Sequence, residues 1–326
     1  MQEVIPPERN TDTVVLTTYS QTPPMIAVYG QAGEWAWEEY FGGRIRNVHT
    51  RKSYLSAVKR FLAWCHDQGA ELRDISPGLV GRYFDLHQGS IPTKKQHMSA
   101  IRGLFDVLVE RHVIVLNPAL SVRTERYSVM EGKTPPVTVE QSRKLLSSVP
   151  LETAVDFRDR AIIAMLIYTA ARVGAIAGLR LSDLINEGDQ MVFAFREKGG
   201  KARRIPARIS LRREVEEYLA FLPLNTATSD APVFRSAAGT SGLLSSNGLS
   251  AIDISRMVKR RVHAAGLPPA ISPHSFRSCA ATDLLDQGVS LEDVQHLLGH
   301  ADARITRLYD RRDRQVTRNI VERISV

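Results

Sequence analysis

Apolar side chains recur at steps of three and four along most of this chain, and one stretch breaks that period. Tyr54, Val58, Phe61, Leu62 and Cys65 form one such stripe, with Arg51, Lys52, Lys59 and Arg60 on other faces. Met98, Ile101, Leu104, Phe105 and Leu108 form another, in a helix that starts near Pro92 and keeps Lys94, Lys95 and Arg102 polar. That spacing puts the apolar residues on one face of a helix, which a second element must cover. Between residues 191 and 207 the period drops to two. MVFAF, a turn at Gly199-Gly200 and the returning ARRIPA read as a β-hairpin. The expectation is a mainly α protein with a small antiparallel β-sheet.

Residues 123–137, RTERYSVMEGKTPPV, are polar and contain Gly132 and Pro135-Pro136, a linker composition. They separate a helical domain at 31–122, ended by Asn117-Pro118, from a mixed domain with a C-terminal tail at 138–326. Residues 1–30, rich in Thr, Pro and Gln and without a period, are expected to be a flexible arm. Trp35, Trp37, Tyr40 and Phe41 predict a short packing helix that ends at Gly42-Gly43. Past the linker, Thr138 and Gln141 make a capping box. A helix over 156–170 then places Phe157, Ala161, Met165 and Tyr168 inside, with Arg172 just beyond its end. After the hairpin, a helix is expected near 210–221, a short strand at PVFR (232–235) and a flexible surface loop over 236–250. Helices follow over 251–265, 274–286 and 290–298, the last capped by Ser290 with Asp293, and a final short helix carries Tyr309.

Charge narrows the function. The net charge is +8, from 43 Lys+Arg against 35 Asp+Glu, and a basic surplus favours polyanions as partners. Its distribution sharpens the point. Residues 196–213 carry eight basic side chains against one acid, 256–263 add four more, and Arg304, Arg307, Arg311, Arg312 and Arg314 form a third group. No run approaches the roughly 20 apolar residues that span a bilayer, and the N-terminal segment has no apolar signal core. No membrane partner is expected. Cys65 and Cys279 lie far apart and give no metal spacing, which points to packing residues in a reducing, cytoplasmic setting.

The basic runs flank one chemically loaded stretch. His274 and Arg277, three positions apart, share a helix face. His300 follows a glycine, and Tyr309 comes nine residues later. A phenol beside imidazoles and guanidiniums can attack a phosphate and leave a covalent ester. Taken singly, each has an ordinary use. Arg172 can end a helix, His300 can sit against a helix dipole, and Tyr309 can be a core residue with a satisfied hydroxyl.

Together and in this order, the segments resemble the tyrosine recombinases, also called phage integrases, over about residues 45–312. Arg172 in TAARVGAIAGLRLSDL resembles the family's first arginine motif, and REKGGKARRIP resembles its β-hairpin lysine motif. HSFR at 274–277 matches the His-x-x-Arg box, LLGH at 297–300 the second histidine box, and Thr306-Arg307-Leu308-Tyr309 the nucleophile segment. Tyr54, Phe61 and NPAL resemble the core-binding domain.

The resemblance implies a helical SAM-like core-binding domain plus a mixed α/β catalytic domain, in a bacterial Xer-like or mobile-element integrase. It implies a site-specific recombinase working through a 3′-phosphotyrosyl intermediate and a Holliday junction. Arg172 and Arg277 would clamp the phosphate and His274 would act as acid and base. Lys198 would protonate the departing 5′ oxygen, His300 would hydrogen-bond the phosphate and Tyr309 would be the nucleophile. Motif position favours Lys198 over Lys201, which is left as a phosphate contact. With it, Arg51, Lys52, Lys59, Lys94, Lys95, Arg203, Arg204, Lys259 and Arg260 are the candidate DNA contacts. One ester replaces another, so no cofactor, ATP or metal is required. The implied partners are double-stranded DNA with specific recombination sites, three further copies in a homotetrameric synapse, and accessory DNA-bending proteins, with the protein associated with the nucleoid.

Two positions depart from the family pattern: Ala175 stands where an acid is usual and Ser278 where histidine is common. Asp159, Asp183 or another acid stands open as a replacement. The rival readings are a type IB topoisomerase, which shares the nucleophile chemistry, and a non-catalytic DNA-binding protein with a degenerate site.

Overall fold

The computed structural model describes residues 21–125, 137–196, 202–223, 228–239, 241–300 and 303–307 of the 326-residue chain. The chain divides into two compact units, Met1–Ser128 and Val129–Val326. It is mainly helical, with two small antiparallel sheets. Among the described residues, no helix is long and apolar enough to cross a membrane.

The first unit holds α1 (Pro24–Ala27), α2 (Gly30–Glu38), a π-helical turn (Glu39–Arg44), α3 (Val48–Asp67), α4 (Pro77–Leu86) and α5 (Ile91–Glu110). The stripes of α3 and α5 face each other. Val58, Phe61, Leu62 and Cys65 are buried against Met98, Ile101, Leu104, Phe105 and Leu108, while Tyr54 is only partly covered. Burying each large side chain contributes about 1.5–3 kcal/mol.

Three expectations change here. Trp37, Tyr40 and Phe41 are core residues, but Trp35 is 49% exposed, with the Arg111 guanidinium 6.0 Å from its ring centroid. Residues two positions apart on a helix are about 200° apart around its axis, so both tryptophans cannot face inward. The helix also does not stop at Gly42-Gly43. It widens into the π-helical turn, which closes where the Arg51 Nε and Nη2 donate to the Ile45 carbonyl at 3.1 and 2.8 Å. Finally, residues 24–27 are helical rather than part of an arm. Pro24 pre-sets the first helical φ, and Ile26 is buried over Gly33, where a Cβ would lie 2.3 Å from the Ile26 oxygen. Residues 1–20 lie outside the described set.

The second unit opens with α6 (Val139–Ser147), started by the expected Thr138–Gln141 capping box, and α7 (Ala154–Thr169), started by an unforeseen one from Thr153 and Asp156. Ala161 to Leu166 are all buried, so α7 is covered on every side and its single-face pattern is only approximate. Phe157 and Tyr168, expected inside, are only partly covered at its ends. A short α8 (Val173–Ala177) leads to β1 (Leu184–Glu187), β2 (Gln190–Arg196) and β3 (Ala202–Pro206), in antiparallel order β1-β2-β3. In β2–β3, Phe193 pairs with Ile205 and Phe195 with Arg203.

After α9 (Ile209–Leu219) come β4 (Arg235–Ala237) and β5 (Leu244–Gly248), a second hairpin within the stretch expected to be a loop. Its small polar residues leave no apolar alternation to read, and pairing is made by backbone bonds and by Ser236 and Ser245 Oγ atoms 2.7 Å apart. The PVFR strand shortens to an isolated bridge from Pro232 to Arg180, with β4 beginning only at Arg235. The chain ends its described part in α10 (Ala251–Ala264), α11 (Pro273–Asp286), α12 (Leu291–Leu298) and α13 (Ala303–Arg307).

Candidate active site

α7 ends in a left-handed residue that is not glycine. Ala170 has φ 49° and ψ 25°, a conformation that costs an L-residue about 1–2 kcal/mol. The Thr169 hydroxyl holds the bend by donating to the Met165 carbonyl at 2.6 Å and accepting from the Ala171 N–H at 3.2 Å. The bend sends the chain into Arg172, the extended N-cap of α8, and turns the Ala170 carbonyl toward α11.

α11 starts at Pro273 behind a capping box of Ser272 and Ser275. Its first turns carry His274 at the surface and Arg277, 2% exposed, within. Arg277 Nη1 donates to the Ala170 carbonyl at 2.6 Å, and Nη2 donates to the Leu298 carbonyl. These acceptors satisfy two donors of a buried cation without consuming its formal charge.

α12 begins at Ser290, whose hydroxyl accepts from the Asp293 N–H as the sequence indicates. It ends at Gly299 in the left-handed region, φ 61°. That turn lets His300 fold back: its N–H donates to the Gln295 carbonyl at 3.2 Å, and its carbonyl accepts from Gln295 Nε2 at 3.1 Å. The Gly299 carbonyl accepts from Arg172 Nη2 at 3.4 Å. Both arginines therefore meet at the C-terminal, partially negative end of α12. The His300 ring is fixed by Thr306 of α13, with Oγ1 2.9 Å from Nδ1.

The electrostatics fit a site built for an anion. Loss of water, then the Arg277 and Arg172 charges, hold His274 below its usual value. Burial, then Arg277, Arg172, His274 and Arg203, push His300 down to about 4. Both imidazoles are then mostly neutral near pH 7, and an anion would relieve the repulsion among the guanidiniums.

The structure brings together Arg172, His274, Arg277 and His300. Lys198, Lys201 and Tyr309 lie outside the described residues. The candidate DNA contacts are scattered in role. Arg203 sits on the buried face of β3, its guanidinium 5.8 Å from the Phe195 ring centroid, while its neighbour Arg204 faces out and pairs with Glu187. Arg51 is engaged by the Ile45 carbonyl, and Lys94 pairs with Glu125 at 3.0 Å. Lys52, Lys95 and Lys259 are exposed, Lys59 is half-buried, and the exposed Arg260 reaches Asp159 at 2.9 Å.

Ala175 packs beside the core. The acids left open as its replacement serve elsewhere. Asp159, fully buried, is held by Arg158, Arg260 and Arg261, and Asp183 by Arg196 and the Arg180 N–H. Ser278 is buried and donates to the His274 carbonyl at 3.2 Å. Cys65 is buried and Cys279 half-buried, both reduced. Sequence reasoning did not reach Thr306, the Ala170 bend, or the carbonyls at the end of α12. Only the Thr306 hydroxyl, inside the nucleophile segment, was there to be found.

The profile of the Phage integrase family matches residues 137–315. The tyrosine recombinase XerD of Chlorobaculum tepidum is 30% identical over 282 residues, 83% of this chain and 88% of that protein. In fold, the chain is similar to the XerH site-specific recombinase bound to its palindromic difH substrate, with a TM-score of 0.66 at 19% identity, covering 93% of this chain and 90% of XerH. It is also similar to a lambda integrase dimer bound to a core site, with a TM-score of 0.63 at 20% identity, covering 86% and 95%.

Proposed function

The chain belongs to the phage integrase family and is a tyrosine-type site-specific recombinase, and we propose the course of its reaction. Double-stranded DNA carrying a specific site is the substrate. Arg172 and Arg277 bind the non-bridging oxygens of the scissile phosphate, whose negative charge grows as a fifth ligand joins phosphorus. A planar, permanently charged fork suits that task better than a lysine. His300 donates one further hydrogen bond to the same oxygens.

Tyr309 Oη attacks phosphorus while His274 takes its proton. A free phenol, with a pKa of about 10, is mostly protonated at neutral pH, so a base and a positive surrounding are both needed. The bond from phosphorus to O5′ breaks, and O5′ takes a proton from Lys198. The products are a 3′-phosphotyrosyl ester and a free 5′ hydroxyl. A 5′ hydroxyl from the partner duplex then reverses the steps, returning its proton to Lys198 while Tyr309 leaves and is reprotonated by His274. Two rounds of exchange form and resolve a Holliday junction. One ester replaces another at each step, so the bond energy of the strand is retained in the tyrosyl link.

Four copies synapse two sites, with the helical unit contributing Lys52, Lys59, Lys94 and Lys95 to the DNA contacts and accessory bending proteins where a site requires them. The protein then resides on the nucleoid. The observation that carries this reading is the meeting of Arg172 and Arg277 at the end of α12, beside two imidazoles held neutral.

The test begins by sequencing DNA recovered with the protein, which gives a bound site. On a nicked version of that site, wild type should trap a denaturant-stable DNA adduct and Tyr309→Phe should trap none. A wild-type chain that binds the site yet never forms the adduct would instead be a DNA-binding protein with a degenerate centre. Adduct formation with supercoil relaxation by single copies, and no strand exchange, would identify a topoisomerase.

A further inference from the structure

Thr306 is fully buried, and its Oγ1 lies 2.9 Å from the Nδ1 of His300, six residues earlier in the chain. With the His300 backbone tied at both ends to Gln295, the threonine sets the ring plane as well. A neutral imidazole carries one proton, on one nitrogen or the other, and the partner of Nδ1 decides which. If Thr306 accepts from Nδ1, then Nε2 presents a bare lone pair, which would repel a phosphate oxygen. If Thr306 donates, Nε2 carries the proton and can hydrogen-bond an anion. The surrounding positive groups, Arg277, Arg172 and Arg203, with neutral His274, are arranged for an anion.

We propose that Thr306 is a positioning residue that donates its hydroxyl proton to His300 Nδ1 and so keeps the ring proton on Nε2 for the scissile phosphate. The identity of that acceptor rests on the recombinase reading; the hydrogen bond does not. Thr306 also lies three residues before Tyr309 in the sequence. On the recombinase reading, the segment that carries the nucleophile would thus also set the proton of the ring that receives the phosphate.

The full-length chain with ¹⁵N-labelled histidine tests this without DNA. The His300 ring signals are those missing in His300→Gln. In wild type at pH 7, Nδ1 should read as unprotonated and Nε2 as protonated. Thr306→Val removes a donor to the neutral ring, so the His300 titration midpoint should rise, and Thr306→Ser should restore it. A protonated Nδ1 in wild type, or a midpoint that falls or stays in Thr306→Val, overturns the assignment. On the nicked site, Thr306→Val should form adduct about tenfold more slowly or worse, a loss of about 1.4 kcal/mol, and Thr306→Ser should stay close to wild type. Equal rates for valine and wild type would overturn the role in catalysis. The expected ring signals together with no adduct from wild type count against the recombinase reading and leave the hydrogen bond standing.

Discussion

His300 and His97 are the residues at which folding and titration meet. His97 Nδ1 lies 3.1 Å from His87 Nε2 and 3.3 Å from the Tyr83 hydroxyl in the first unit. Burial, then His87 and Arg60, lower it to about 4, and His300 in the second unit reaches about the same value. An unfolded histidine titrates near 6.5, so between pH 6.5 and 4 the unfolded chain binds more protons than the folded one. The stability from these depressed values is present above about 6.5 and is lost as pH falls through that window. The urea midpoint should therefore be lower at pH 5 than at pH 7, and His97→Gln should lessen the loss in the first unit. Equal midpoints would contradict the assignment. At this scale the sequence yielded Arg172, His274, Arg277 and His300, because their order and spacing are chemical signals in one dimension. The Thr306–His300 contact and the Ala170 bend were not legible, since a hydroxyl meeting a ring six residues away, or a left-handed bend at an alanine, leaves no periodic trace. Lys198 and Tyr309 still stand on their motifs alone.

Elements were legible where burial is one-sided. The stripes of α3 and α5 gave both helices, and Ser290 gave the start of α12. β1 and β5 escaped because neither holds a fully buried residue, and each is recruited by backbone pairing with a neighbour. The packing of α5 on the π-helical turn shows what a stripe cannot reveal. Tyr40 lies across Gly103, its hydroxyl donating to the Ala100 carbonyl at 2.7 Å. A Cβ at residue 103 would meet that hydroxyl oxygen at 2.7 Å and the ring at 2.8 Å. Gly103→Ala should thus destabilise the unit by about 1–3 kcal/mol, despite alanine's better helix propensity. A denaturation curve showing greater stability would mean that Tyr40 swings away at no cost.

The whole molecule has two separate hydrophobic cores, one within Ile26–Ala119 and one drawn from Val137 onward, with a smaller cluster around Ala281 and Leu285. Among the described residues, each large cluster is drawn from one unit. Calorimetry of the full chain should accordingly resolve two transitions, and Gly103→Ala should shift only one of them; a single transition that moves as a whole would show the units to be energetically coupled. The division was foreseeable because residues 123–137 are polar over a length that no helix or strand pattern covers. The assignment of DNA-contact surfaces was not, because a cation's sequence position does not tell whether it faces solvent, as Lys52 does, or lies under a sheet, as Arg203 does.

The carbonyl oxygens that close α12 have one more consequence. Leu298 and Gly299 offer the two arginines partly negative carbonyl oxygens, and on the proposed reaction course the backbone would act as an understudy for the substrate phosphate. The buried Arg277 is set in place during folding, which would spare an encounter about 0.5–1.5 kcal/mol of ordering. On the proposed reaction course, arrival of a strand would be a change of partner for these cations. Its departure would return two of their donors to the carbonyls at the helix end.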